Sequence, residues 1–203
     1  MVRRTKEEAL ETRNRIMAAA VDVFFERGVA NATLNDIATR ANVTRGAIYW
    51  HFKNKLDVFD ALHDRLQLSF ADTILADLQN DHPHPLLQLE RLCTDLLVNL
   101  ESDQDAFKVL SIMFFKCDYT GDMSAFLTIQ NERRKKNVEL FSQYFARAKK
   151  HRHLPADVDP SVLSMALLSY ISGLVIDYLR DPTCFVMRDN AARFMRLFFR
   201  NLG

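Results

Sequence analysis

Between Thr33 and Lys55 the chain reads TLNDIATRANVTRGAIYWHFKNK, two stretches of helical apolar spacing that are each too short to be stable alone. Thr33 precedes Leu34, Ile37, Ala38 and Ala41, and Asp36 is placed to return a capping-box bond. Asn42 and Val43 interrupt the pattern, and Thr44 is positioned to cap a second short helix through about His51. Two short helices joined by a tight turn must find a third to pack on. The stretch from Glu7 to Arg27 supplies it, because Ile16, Ala19, Ala20, Val23 and Phe24 recur at helical spacing and Gly28 follows as a stop. Leu34, Ile37, Ala38, Ala41, Val43 and Ile48 then hold the three together, with small Ala38 and Ala47 allowing a close crossing.

The rest of the chain continues in the same period. Asn54 caps a longer helix from Lys55 to about Leu78, carrying Leu56, Phe59, Leu62, Leu66 and Phe70 on one side, and His82-Pro83-His84-Pro85 ends it. Further helices are predicted near 86–101, 104–117, 122–151, 160–180 and 187–201, and no stretch alternates with the period of a strand. With 48% hydrophobic residues and only 5 Gly and 5 Pro, the chain is too apolar for disorder and too poor in turn residues for a β-sandwich. The expectation is an all-α fold of about nine helices. Residues 1–55 form a three-helix helix-turn-helix domain, and residues 56–203 form a helical ligand-binding and dimerisation domain.

The net charge of +1 hides an asymmetry. Residues 1–55 hold 10 Lys/Arg against 6 Asp/Glu, a net +4, leaving 17 against 20, a net −3, beyond. A basic reader joined to a mildly acidic body fits a nucleic-acid-binding protein with a separate sensing domain. Cys93, Cys117 and Cys184 are scattered and odd in number, which argues for a reducing compartment and against a disulfide framework. The start of the chain lacks the pattern of a secretory signal, and the uncharged run Ser161 to Ile176 falls short of the ~20 apolar residues of a spanning helix. A cytoplasmic location without a membrane partner is expected.

No Gly-rich phosphate loop, nucleophile elbow or H-E-x-x-H appears, so no catalytic residue and no cofactor is assigned. His82, His84, His151 and His153 are candidate metal ligands, but no cysteine or paired carboxylate completes a set of four, and no metal is expected.

Function concentrates on the second short helix. Arg45, Gly46 and Tyr49 fall within an arc of about 100°, presenting a guanidinium, an open backbone and a phenol together. Arginine pairs bidentately with guanine O6 and N7, tyrosine reaches a phosphate or a thymine methyl, and glycine lets the backbone come near. Thr33 and Thr44, at helix N-termini, add hydroxyls and N–H groups suited to phosphate. Lys55 adds a charge at the start of the long helix, and Arg3, Arg4 and Lys6 form a basic arm.

These segments, with the opening RRTKEEALETR and the later FFKCDYTGDM, resemble the AcrR/TtgR-type branch of the TetR repressor family. The resemblance implies that Thr33, Asn35, Thr44, Arg45, Gly46, Tyr49, His51 and Lys55 stand at positions used on DNA, while Trp50 and Phe52 look like packing residues. It further implies a dimer on palindromic double-stranded operator DNA, a recognition helix in each of two successive major grooves, and control of a multidrug efflux operon.

A switch needs a cavity that a ligand fills better in one of two states. Leu92, Cys93 and Leu96 recur down one helix and Leu110, Met113 and Phe114 down the next. By resemblance, Leu66, Gln67, Phe70, Phe141, Leu168, Ile171, Ser172 and Val175 complete the wall. Relatives place polar residues where Leu110, Phe114 and Ser172 stand, so a small hydrophobic or aromatic effector is expected. The homodimer is assigned to the last two helices, through the run Ser161 to Ile176 and a stripe of Ala191, Phe194, Leu197 and Phe198. A helical protein-interaction module without sequence-specific DNA binding, and a DNA-binding activator, are the alternative readings.

Overall fold

A computed structural model describes residues 6–80, 82–200 and 202, apart from the side chain of Asp122. Arg3 and Arg4 of the expected basic arm lie outside the described residues. Nine α-helices follow in order among the described residues: α1 Lys6–Arg27, α2 Leu34–Arg40, α3 Arg45–His51, α4 Lys55–Leu78, α5 Pro85–Ser102, α6 Gln104–Phe115, α7 Ala125–Lys150, α8 Pro160–Arg180 and α9 Met187–Phe199. No strand occurs among them. Two boundaries differ instructively from the sequence expectation. Pro85 belongs to the first turn of α5, where its missing N–H removes no helical bond. Helix α7 begins at Ala125 and not at 122, because Gly121 takes a φ of 52° and Gly121–Met123 closes a 3₁₀ turn first.

The chain divides into two compact units, one of residues up to Gln67 together with Lys108–Thr128, the other of Leu68–Phe107 and Ile129 onward. The first unit holds α1 to α3 and the beginning of α4. Its core is Ile16, Ala20, Phe24, Ile37, Ile48, Phe52, Val58 and Phe59, each at most 3% exposed. Phe59 meets Phe24 and Phe126 edge-to-face, at 6.2 and 4.7 Å between ring centres. Gly28 ends α1 with a φ of 78°, a conformation that costs glycine nothing. The loop that follows is held by the Val29 N–H, which donates to the carbonyl of Lys116 at 2.8 Å.

In the second unit α5 packs along α9. Leu89, Cys93 and Leu97 of α5 and Met187, Ala191 and Met195 of α9 are all but inaccessible, as are Phe141, Tyr144 and Phe145 of α7. The Tyr144 hydroxyl, deep in this core, donates to Asp77 at 2.7 Å. Burial first, and this carboxylate second, push the phenol's pKa upward. The expected stripe of α9 is divided: Ala191 turns inward with Met187, Met195 and Phe199, while Phe194 and Phe198 are half-buried and Leu197 is 65% exposed. The inward line of Met187, Ala191, Met195 and Phe199 follows i, i+4, i+8, i+12 spacing. Helix α8 buries Ser164, Leu167, Tyr178 and Leu179 but leaves Val162 and Met165 about half exposed. By length and composition alone α8 is apolar enough to cross a membrane, and 28% of its apolar window is buried here.

Candidate nucleic-acid interface

Three caps build the reading head. The Thr33 hydroxyl accepts from the Asp36 N–H at 3.1 Å while Asp36 accepts from the Thr33 N–H at 3.0 Å, a complete capping box at the start of α2. The Ala41 and Val43 amides close the end of α2, and Asn42 makes the turn at a φ of 51°, which asparagine tolerates better than most residues. Thr44 then accepts from the Ala47 N–H at 3.1 Å and opens α3. Asn54 accepts from the Asp57 N–H at 2.8 Å and opens α4.

On α3, Ile48 is fully buried and Phe52 nearly so, which fixes the helix with the opposite side outward. Arg45, Gly46 and Tyr49 are all exposed, and the Arg45 guanidinium lies 5.7 Å from the centre of the Tyr49 ring. Arg45 has no carboxylate partner among the described residues, whereas Arg27 and Arg40 each have one. Arg40 holds Glu26 through both terminal nitrogens, at 3.0 and 2.6 Å, and Arg27 holds Asp36 at 2.8 Å. Those pairs act within the domain. The Arg40 hydrogen bond holds Glu26 below the usual carboxylate range, and the Thr33 bonds, helped by Arg27, do the same for Asp36.

The remaining expected DNA residues separate by what their polar atoms already do. The Thr33 hydroxyl donates to Asp36 at 2.6 Å and is committed to the cap, whereas the Thr44 hydroxyl only accepts and keeps its proton for another partner. Asn35 is exposed on α2, and His51 is half-buried with its ring 4.5 Å from that of Trp50. The Lys55 ammonium donates to the carbonyls of Ala30 and Ala32, at 3.0 and 3.1 Å. It thereby ties the start of α4 to the α1–α2 loop.

Trp50, taken as a packing residue from the sequence, is 72% exposed. Helix phase explains it: Trp50 stands about 200° around the helix from the buried Ile48, on the side of Tyr49. That arithmetic was available in the sequence.

The expected effector residues fall in both units. Leu66, Gln67, Leu110, Met113 and Phe114 belong to the first, where Met113 is buried and Phe114 is 43% exposed. In the second, Leu92, Cys93 and Phe141 are buried, Leu96, Leu168, Ile171, Ser172 and Val175 are half-buried, and Phe70 stacks on Phe141 at 5.9 Å. Burial drives the Cys93 thiol pKa far upward and raises that of Cys117 to about 11. No group of three or more His, Cys, Asp or Glu among the described residues can hold a metal ion.

The profile "Bacterial regulatory proteins, tetR family" matches residues 16–62, which contain every cap and exposed side chain of the reading head. That of the "MAATS-type transcriptional repressor, C-terminal region" matches residues 84–203. The chain belongs to the TetR family. Among its relatives, the HTH-type transcriptional regulator TtgR of Pseudomonas putida is 37% identical over 185 residues, covering 90% of this chain and 87% of TtgR. The crystal structure of NalD, the secondary repressor of the MexAB-OprM multidrug efflux pump in Pseudomonas aeruginosa, superposes with a TM-score of 0.86 at 32% identity, covering 97% of this chain and 98% of NalD. A complex of SmeT, from Stenotrophomonas maltophilia, with triclosan gives a TM-score of 0.84 at 25% identity, covering 94% and 90%. Family membership makes the chain a transcriptional regulator of the repressor type.

Proposed function

We propose that this protein represses a multidrug efflux operon, binding a palindromic operator as a homodimer and leaving it when a small, largely apolar effector binds. The observation that carries the DNA reading is α3: one helix anchored by Ile48 and Phe52 that holds Arg45, Gly46, Tyr49 and Trp50 outward, its arginine without a carboxylate partner among the described residues while Arg27 and Arg40 are engaged. Arg45 reads a base edge, and Thr44, Tyr49 and Trp50 meet the phosphate-sugar backbone. Lys55 acts by fixing the loop before α2.

The dimer is assigned to α8 and α9. Val162, Met165 and Leu197 leave apolar surface that a second copy would cover, and twofold symmetry matches two half-sites about one helical turn apart. The effector class rests on the apolar character of Leu110, Met113, Phe114 and Phe141 and on the triclosan complex of SmeT. Two routes support coupling. Helix α4 runs unbroken from Lys55 to Leu78, and α6, which carries three of the expected effector residues, ends in the Lys116 carbonyl that holds Val29. A shift of α6 pulls directly on the loop that positions α2.

The test is to select genomic fragments on the purified protein and challenge the tightest complex with triclosan and with a hydrophilic charged compound. The proposal expects a palindromic fragment released by triclosan alone. Release by the charged compound instead would refute the effector class, and recovery of fragments without a common palindrome would refute the operator reading.

A further inference from the structure

Where the start of α5 meets the turn after α7, the second unit carries an open groove of about 600 Å³, within the range of small-molecule sites. Its floor and wall are apolar: Leu154 and Phe199 are buried beneath it, and Leu87 stands 54% exposed beside it. Its rim carries Arg152, His84 and His153, with Glu90 the single acidic side chain among the lining residues. His84 and His153, far apart in sequence, stack with ring centres 5.3 Å apart and planes 18° from parallel. The stack joins the two segments that form the groove.

Arg152 is the unusual residue. It takes a φ of 61° just after α7, its N–H closing on the Lys149 carbonyl at 3.0 Å and that of His153 on Ala148 at 2.8 Å. This helix stop suits glycine, and any residue with a Cβ is strained in it. Arg152 lines the groove, and its side chain has no hydrogen-bond or ion-pair partner among the described residues. Ordinary surface arginines need no such backbone.

We propose that the groove binds an amphipathic monoanion, a carboxylate on an alkyl or aryl body. The carboxylate pairs with Arg152, whose planar fork matches it bidentately, and His84 and His153 offer further N–H donors. The body lies on Leu87, Leu154 and Phe199. Glu90 works against a second negative charge, so mono- and dianions are discriminated. None of the expected effector residues lines this groove, so it is a second site, independent of the proposed effector pocket.

The experiment titrates the full chain with dodecanoate and with dodecan-1-ol, below their aggregation limits, by calorimetry. Two variants are run alongside. Arg152→Gly removes the cation at a position whose backbone glycine prefers, so its melting temperature should match or exceed that of the parent. Leu87→Glu places a negative charge on the wall. The site predicts dodecanoate binding to the parent, at least about tenfold weaker binding of the alcohol, and a loss of at least about tenfold in either variant. Absence of dodecanoate binding, or equal binding by the parent and Arg152→Gly, would overturn it.

Discussion

Replacing Gly46 by alanine separates folding from DNA reading. A Cβ built at Gly46 would meet only the Thr44 hydroxyl oxygen, at 3.9 Å, an ordinary contact, so the free protein has room for it. Gly46 lies in the first turn of α3 and is exposed, and glycine in a helix is less favourable than alanine by up to about 1 kcal/mol. For a chain of this size that is a rise of about 2–4 °C in Tm. If α3 reads DNA as proposed, the same methyl should occupy the space through which its backbone approaches, beside Arg45 and Tyr49. Moving that helix outward loses one good base or phosphate contact, about 1–3 kcal/mol, or roughly tenfold to a hundredfold in Kd. Thermal melting and fluorescence anisotropy on the selected operator, at one fixed salt concentration, give both numbers. Unchanged operator affinity would refute the close-approach argument, and a fall in Tm would refute the open environment assigned to Gly46.

Lys55→Gln should lower Tm and weaken all DNA sequences together while leaving the salt slope intact, because its ammonium is spent on the carbonyls of Ala30 and Ala32; a slope reduced by about one with Tm unchanged would make Lys55 a phosphate contact instead. Asp36 has its pKa depressed in the folded state, so its contribution is complete above the usual carboxylate range and is lost as pH falls through the folded value. The stability advantage of the parent over Asp36→Asn should therefore be constant near neutrality and shrink below about pH 4 in denaturant titrations. Tyr144→Phe leaves Asp77 without its 2.7 Å donor and should cost about 1–2 kcal/mol in urea unfolding, with operator affinity unchanged below the melting range.

Most of the fold was legible in the sequence because helix caps are local. Thr33 with Asp36, Thr44 with Ala47 and Asn54 with Asp57 all form the bonds that their spacing implies. What the sequence hid is long-range. The bond from Val29 to Lys116 and the ion pair of Asp22 with Lys108, 2.7 Å, join residues far apart in the chain. Both join Lys108–Thr128 to the unit that holds the helix-turn-helix, as do the contacts of Phe59 with Tyr119 and Phe126. Lys55 shows the same gap from the other side, since its charge was visible in the sequence but its two carbonyl partners were not. In the effector region, Leu92 and Cys93 are as apolar as core residues, and periodicity has no means of telling a core wall from a cavity wall. Trp50, a packing residue by the family resemblance, is 72% exposed, and its helix phase about 200° from Ile48 accounts for that.

The central claim is that α3 reads DNA sequence, and a salt titration tests it most directly. The parent and Arg45→Ala are titrated from low to moderate salt against the tightest selected palindrome and a scrambled duplex of the same composition. For the parent, log affinity should fall linearly with log salt with a slope of several units, and the palindrome should bind about a thousandfold tighter than the scrambled duplex. Arg45→Ala should close that gap by about 1–3 kcal/mol. A flat salt dependence with equal binding to both duplexes would contradict the account and leave a helical protein-interaction module in its place.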